Sequence, residues 1–99
     1  MKLTDESKKA MRVSGIPAYM HEGITAFYED GRPPGDFLTA VINNDLQGAV
    51  SHADDRNIHL LKNYVMWFYN WAPSGTWGFD GAAEKWLKGK GASSDRGNG

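Results

Sequence analysis

Residues 54–73, DDRNIHLLKNYVMWFYNWAP, constrain the fold of this 99-residue chain more than any other stretch. Ile58, Leu61, Val65, Phe68 and Ala72 recur at helical spacing, and Leu60, Tyr64, Trp67 and Trp71 run beside them. At about 100° per residue the two lines fuse into an apolar arc of roughly 200°, about twice the width of a one-sided surface helix. Arg56, His59, Lys62, Asn63, Met66 and Asn70 fill the remaining sector. A helix this apolar needs cover from at least two sides, so other elements are expected to wrap it. Asp54 or Asp55 caps its start. Pro73 ends it, because the residue before a proline is pushed out of the helical region.

The covering elements are legible upstream and downstream. Residues 16–30 read as a first helix, with Pro17 at its first position and Met20, Ile24, Phe27 and Tyr28 on one face. Gly31 supplies a left-handed stop, and Pro33 and Pro34 forbid continuation. Gly23 costs this helix about 1 kcal/mol against alanine, which points to the close approach of another backbone or to tolerated drift. Pro34 or Asp36 opens a second helix to about Ser51, with Leu38, Val41, Ile42, Leu46 and Ala49 on a face of roughly 140°. Asn43 and Asn44 mark where it would kink or split. Residues 74–81, SGTWGFDG, form a loop whose Trp77 and Phe79 tuck back under the bundle. Asp80 caps a short last helix over 81–88 that turns Ala83, Trp86 and Leu87 inward.

The remainder is polar. Residues 1–15 read as a flexible N-terminal arm with one or two helical turns over 7–13, too poor in apolar residues to offset the entropy of ordering. Residues 89–99 have no apolar residue larger than Ala92 and read as a disordered tail. The expectation is a single all-α domain over 16–88. Three main helices and one short C-terminal helix form a small bundle, with the long apolar third helix central.

Composition excludes several kinds of function. There is no cysteine, which removes disulfides, thiolate metal sites and cysteine nucleophiles together. Eleven basic residues against twelve acidic ones leave little long-range field, so nucleic acid is an unfavoured partner. No apolar run approaches the roughly 20 residues of a membrane span, and no signal peptide opens the chain, which fits a cytoplasmic protein. His21–Glu22 begins like a zinc-protease signature, but no histidine follows four residues after His21. No phosphate-cradling GxxxxGK and no GxSxG is present either. Neither a metal, a cofactor nor an enzymatic activity is expected.

Binding residues are sought where polar groups interrupt apolar faces. Asp45 falls in the middle of the second helix's apolar face, where an ionised carboxylate needs hydrogen bonds or a cation. It serves either as a polar floor for a ligand or as a carboxylate bonded to a neighbouring helix end. His52 lies two turns further along, about 10.5 Å away, with Gly48 and Ala49 leaving room for a ligand or for a close-packed helix. Asp36, Thr39 and Asn44 complete this first polar group. Asn70, Ser74, Thr76 and Trp77 form a second, at the end of the long helix. Asn44 and Asn70 have amides able to read a base or another amide. Trp77, beside Gly78, is either a stacking platform or a plug for the core.

The segments PPGDFLTAV, Asn44–Asp45–Leu46, Ala53–Asp54 with Asn57, Tyr69–Asn70 with Ala72–Pro73, and Trp86–Leu87 resemble a family of small uncharacterised helical proteins encoded by phages, prophages and bacterial genomes. The resemblance covers about residues 16–89. It implies cysteine in relatives where Thr76 stands here, so a catalytic thiol is not a property this chain shares. It transfers no activity. It implies an accessory protein of a bacterial host's cytoplasm, a host-defence antagonist that binds a host protein or sequesters a nucleotide-like signalling molecule. A sequestering protein should have a concave pocket with stacked aromatics, whereas a protein antagonist should have an exposed apolar patch. The alternatives are a small DNA-associated regulator, disfavoured by Asp54 and Asp55 beside Arg56, and a helical homo-oligomer subunit joined through surplus apolar surface.

Overall fold

The structure, a computed structural model, describes residues 2–89. Every regular element among them is a helix: α1 (Asp5–Val13), α2 (Ala18–Asp30), α3 (Asp36–Ile42), α4 (Leu46–His52), α5 (Asp55–Ile58), α6 (Leu61–Trp71) and α7, over residues 82–89. The all-α expectation is met. The division into three main helices and one short one is not, because two of the expected helices are broken and the N-terminal segment adds another. Of the tail expected over 89–99, Gly89 belongs to α7 and the rest lies outside the described residues.

The N-terminal segment corrects the reading of a loose arm. Thr4 caps α1 by accepting the Ser7 N–H at 3.0 Å, and Asp5 and Glu6 sit in the first turn, where the macrodipole favours them. Met11 is 1% exposed, and Leu3 and Ser7 are buried with it. Two long-range bonds fix the helix in place. The Trp67 indole N–H donates to the Ser7 carbonyl at 2.9 Å, and the Leu3 N–H donates to Glu29 at 3.0 Å. Lys8 adds an ion pair to the same carboxylate at 3.1 Å. The segment has few apolar residues, but Leu3 and Met11 are buried in the core while Val13 stays exposed.

α2 begins one residue later than expected. Pro17 is its cap rather than its first helical residue, and Gly31 ends it at φ 67° as the sequence indicated. Gly23 faces the end of the Leu38 side chain, with room for a Cβ at 3.6 Å, so no backbone presses on it.

The second expected helix splits at Asn44, which takes φ 58° in the left-handed region that asparagine tolerates better than most residues. Asp45 then caps α4 by accepting the Gly48 N–H at 3.0 Å. This cap offers the backbone a partner that a continuous helix would not. The carboxylate therefore lies at an exposed helix start, not on a buried face. A Cβ on Gly48 would collide with it and lie 3.2 Å from that of Ala40, so a small residue is needed where α4 folds back on α3.

The long third helix is also interrupted. Asp54 caps α5 through the Asn57 N–H at 2.6 Å, and the Leu60 N–H bonds to the Asn57 carbonyl three residues back. The ladder then restarts in α6. Buried Asn57 spans the break, because its side-chain oxygen accepts the Tyr64 hydroxyl proton at 2.6 Å. The restart turns Tyr64, Trp67 and Phe68 inward until none has measurable exposure.

These three meet Phe27 and Tyr28 of α2 and Phe37 of α3 in an aromatic core packed edge to face. Phe27–Tyr28, Phe37–Tyr64 and Trp67–Phe68 have ring centres 4.9–5.1 Å apart at steep angles. The loop after Pro73 closes over them. The Gly78 N–H donates to the Ile42 carbonyl at 2.7 Å, and the Asn43 side chain accepts the Ala83 N–H at the start of α7. The Trp86 indole donates to the Phe27 carbonyl at 2.8 Å.

Met11→Ala separates a packed α1 from a loose arm. Loss of a buried methionine should cost about 2–5 kcal/mol in urea unfolding, whereas a residue on a mobile arm would change stability by less than about 0.5 kcal/mol.

Candidate binding surface

The rotation that buries one side of α6 leaves the other uncovered. Val65 and Met66 are about two-fifths exposed and Tyr69 is 73% exposed. The spacing of four between Leu46 and Val50 puts both on one side of α4, and they are 69% and 49% exposed. Between α3, α4 and α6 lies a groove of about 100 Å³, floored by Ala40, Val41 and Ala49 and walled by Leu46, Leu61 and Val65. Asn44 and Asp45 stand on its polar edge. The cover over the apolar arc is partial: Tyr64, Trp67 and Phe68 are enclosed, while Val65 remains outside.

Asp36 and His52 lie elsewhere, in an open cleft of about 410 Å³ bounded also by Tyr19, Phe37, Asp54 and Asn57. His52 is exposed at the end of α4 and lines a different cavity from Asp45. The Tyr19 hydroxyl donates to Asp54 at 3.1 Å, and the Arg56 guanidinium sits 5.9 Å from the Tyr19 ring centre. Loss of hydration, followed by the nearby Asp54 carboxylate, holds the Tyr19 phenol above its usual pKa. Asp54 serves as a cap through one oxygen and as acceptor for Tyr19 through the other, so each of its oxygens is engaged once by the fold. Among the described residues no group of three or more His, Cys, Asp or Glu side chains is gathered closely enough to hold a metal ion.

The second polar group does not assemble as expected. Trp77 is half-buried with its ring centre 5.5 Å from that of Phe68, so it closes the core instead of offering a free platform. The Thr76 hydroxyl donates to the Pro73 carbonyl at 2.6 Å and lies 3.0 Å from the Tyr28 hydroxyl. Thr39 reaches the Pro34 carbonyl and steadies the start of α3. Asn70 and Ser74 are exposed. The sequence also left Tyr19, Val50, Met66 and Tyr69 out of the candidate site. Only the spacing of Leu46 and Val50 hinted at a second apolar face on α4, and Leu46 was assigned to the core.

Comparison with family models, with curated proteins and with solved structures gives no match to this chain. Among the described residues no helix is long and apolar enough to cross a membrane.

Burial raises the pKa of two core tyrosines. Tyr28 is pushed up to about 12, with the Thr76 hydroxyl opposing in part, and Tyr64 is raised by burial and then by the nearby Tyr19 and Asp54. An unfolded tyrosine ionises near pH 10, so above that pH the unfolded state binds fewer protons than the folded one. Their contribution is complete below about pH 10 and is lost as pH rises toward 12. Melting temperature should therefore fall steeply above pH 10, and Tyr28→Phe should flatten that fall. An unchanged slope in the variant would mean that Tyr28 is not buried in its neutral form.

Proposed function

We propose that this protein is a non-enzymatic binding module, an accessory factor of a phage or mobile element. It docks on a host protein through the apolar face of α4 and α6 and disables it, in the cytoplasm of the bacterial host. The observation carrying this reading is the uncovered set of Leu46 and Val65, which wall the groove, with exposed Val50 on α4 and Met66 and Tyr69 on α6. Large apolar side chains scattered singly over a surface are ordinary, but a set carried by two helices that border one groove marks a contact surface. Tyr69 and Met66 are residue types that interface centres favour.

Of the residues named for the small-molecule reading, Asp45, Asn70 and Trp77, Trp77 packs on Phe68 and Asp45 caps α4. The DNA reading required a basic helix start, but α5 opens with Asp54 and Asp55 beside Arg56. A second copy of the chain is the competing occupant of the apolar face, and one experiment separates it from a foreign protein.

Native mass spectrometry of the tagged full chain, purified from its host cells, reads the partner directly. The expected result is a complex with a different polypeptide, reduced at least tenfold in Leu46→Asp and Tyr69→Asp. Both positions are exposed, so melting temperature should hardly change. A homo-oligomer, or a complex indifferent to both substitutions, would refute the proposal.

A further inference from the structure

A further concave site lies between α1 and the start of α2, and it shares no lining residue with the apolar groove. Asp5, Lys8, Lys9 and Arg12 follow the spacing i, i+3, i+4, i+7, so α1 presents them as one stripe. That stripe forms one side of a cleft of about 460 Å³ whose other side is Ile16, Ala18 and His21. This volume is within the range of small-molecule sites.

The charges there are unequal. Lys8 is held by Glu29 at 3.1 Å, but among the described residues Lys9 and Arg12 enter no ion pair. Among the described residues Asp5 is the one carboxylate lining the cleft, and its place in the first turn of α1 gives it the favourable end of that helix's own dipole. Ala18 is the first residue of α2, a helix of 13 residues whose Pro17 cap makes no side-chain bond and whose first turn holds no acid. The positive end of that helix is therefore left without a side-chain acceptor, beside two unpaired cations. His21 is oriented by its Nε2, 2.7 Å from the Ile16 carbonyl oxygen. With Nε2–H donating to that carbonyl, Nδ1 is left for other contacts.

We infer that this cleft binds the phosphate-monoester group of a small phosphorylated molecule. Arg12 supplies a planar fork that matches two phosphate oxygens, Lys9 a point charge, and the first turn of α2 its backbone N–H donors. A dianion gains from both cations at once, so phosphate is preferred over a single carboxylate even though Asp5 repels either anion. The inference stands apart from the protein-docking proposal, and either can fail alone.

The test is an amide NMR titration of the full chain with inorganic phosphate at constant ionic strength, with chloride and acetate as controls. Phosphate should produce saturable shifts at Ala18, Tyr19 and Arg12. Arg12→Gln should weaken binding at least fivefold, Lys9→Gln should weaken it less, and the distant Lys62→Gln should leave it unchanged. Lys9 and Arg12 are exposed, so the fold survives their replacement. Shifts that do not saturate, that acetate reproduces, or that persist in Arg12→Gln would overturn the site.

Discussion

The structure depends on the full enclosure of Trp67. Its ring packs at right angles to Phe68, and its one polar atom is satisfied by the Ser7 carbonyl of α1, sixty residues away. An indole can be buried this deeply only if its N–H finds an acceptor, because an unpaired donor costs about 1–3 kcal/mol. That requirement turns the N-terminal segment into part of the core. Once α1 lies across α6, Met11 is buried and the α1 stripe is brought to the start of α2.

A compensating exposure follows. A helix of α6's composition cannot bury every apolar residue in a domain of this size, where surface is large relative to volume. Closing one side with α1, α2, α3 and the loop after Pro73 leaves Val65, Met66 and Tyr69 in solvent. Leu46 and Val50 of α4 join them because the break at Asn44 sets α4 off from α3 as a separate short helix. The apolar face is thus a by-product of how the core closes, and the proposed docking function makes use of it.

The helical class, the αL stop at Gly31, the end before Pro73 and the inward loop aromatic Trp77 were legible because each rests on local chemistry or strong periodicity. The breaks were harder to read. Asp45 looked like a buried carboxylate because the helix was projected through it, although Asn44 beside it already offered a left-handed turn and Asp45 a cap. The interruption after Ile58 left no proline or glycine to announce it. It is stabilised by Asn57 and Tyr64 across seven residues, a tertiary bond that no local pattern reveals. The packing of α1 was hidden for the same reason, since its anchor is an indole in α6. Candidate residues were chosen as polar interruptions of apolar faces, so Leu46 and Tyr69, apolar residues left outside, were passed over.

The face formed by α4 and α6 is the proposed place where this protein meets its partner. Hydroxyl-radical footprinting of the isolated chain and of the complex recovered from host cells tests it most directly, because Met66 and Tyr69 are both reactive and exposed. Met66 and Tyr69 should be strongly protected in the complex, with Tyr19 labelled equally in both states. Protection at Tyr19 with Met66 and Tyr69 unchanged would contradict it and move the contact to the cleft beside Asp54.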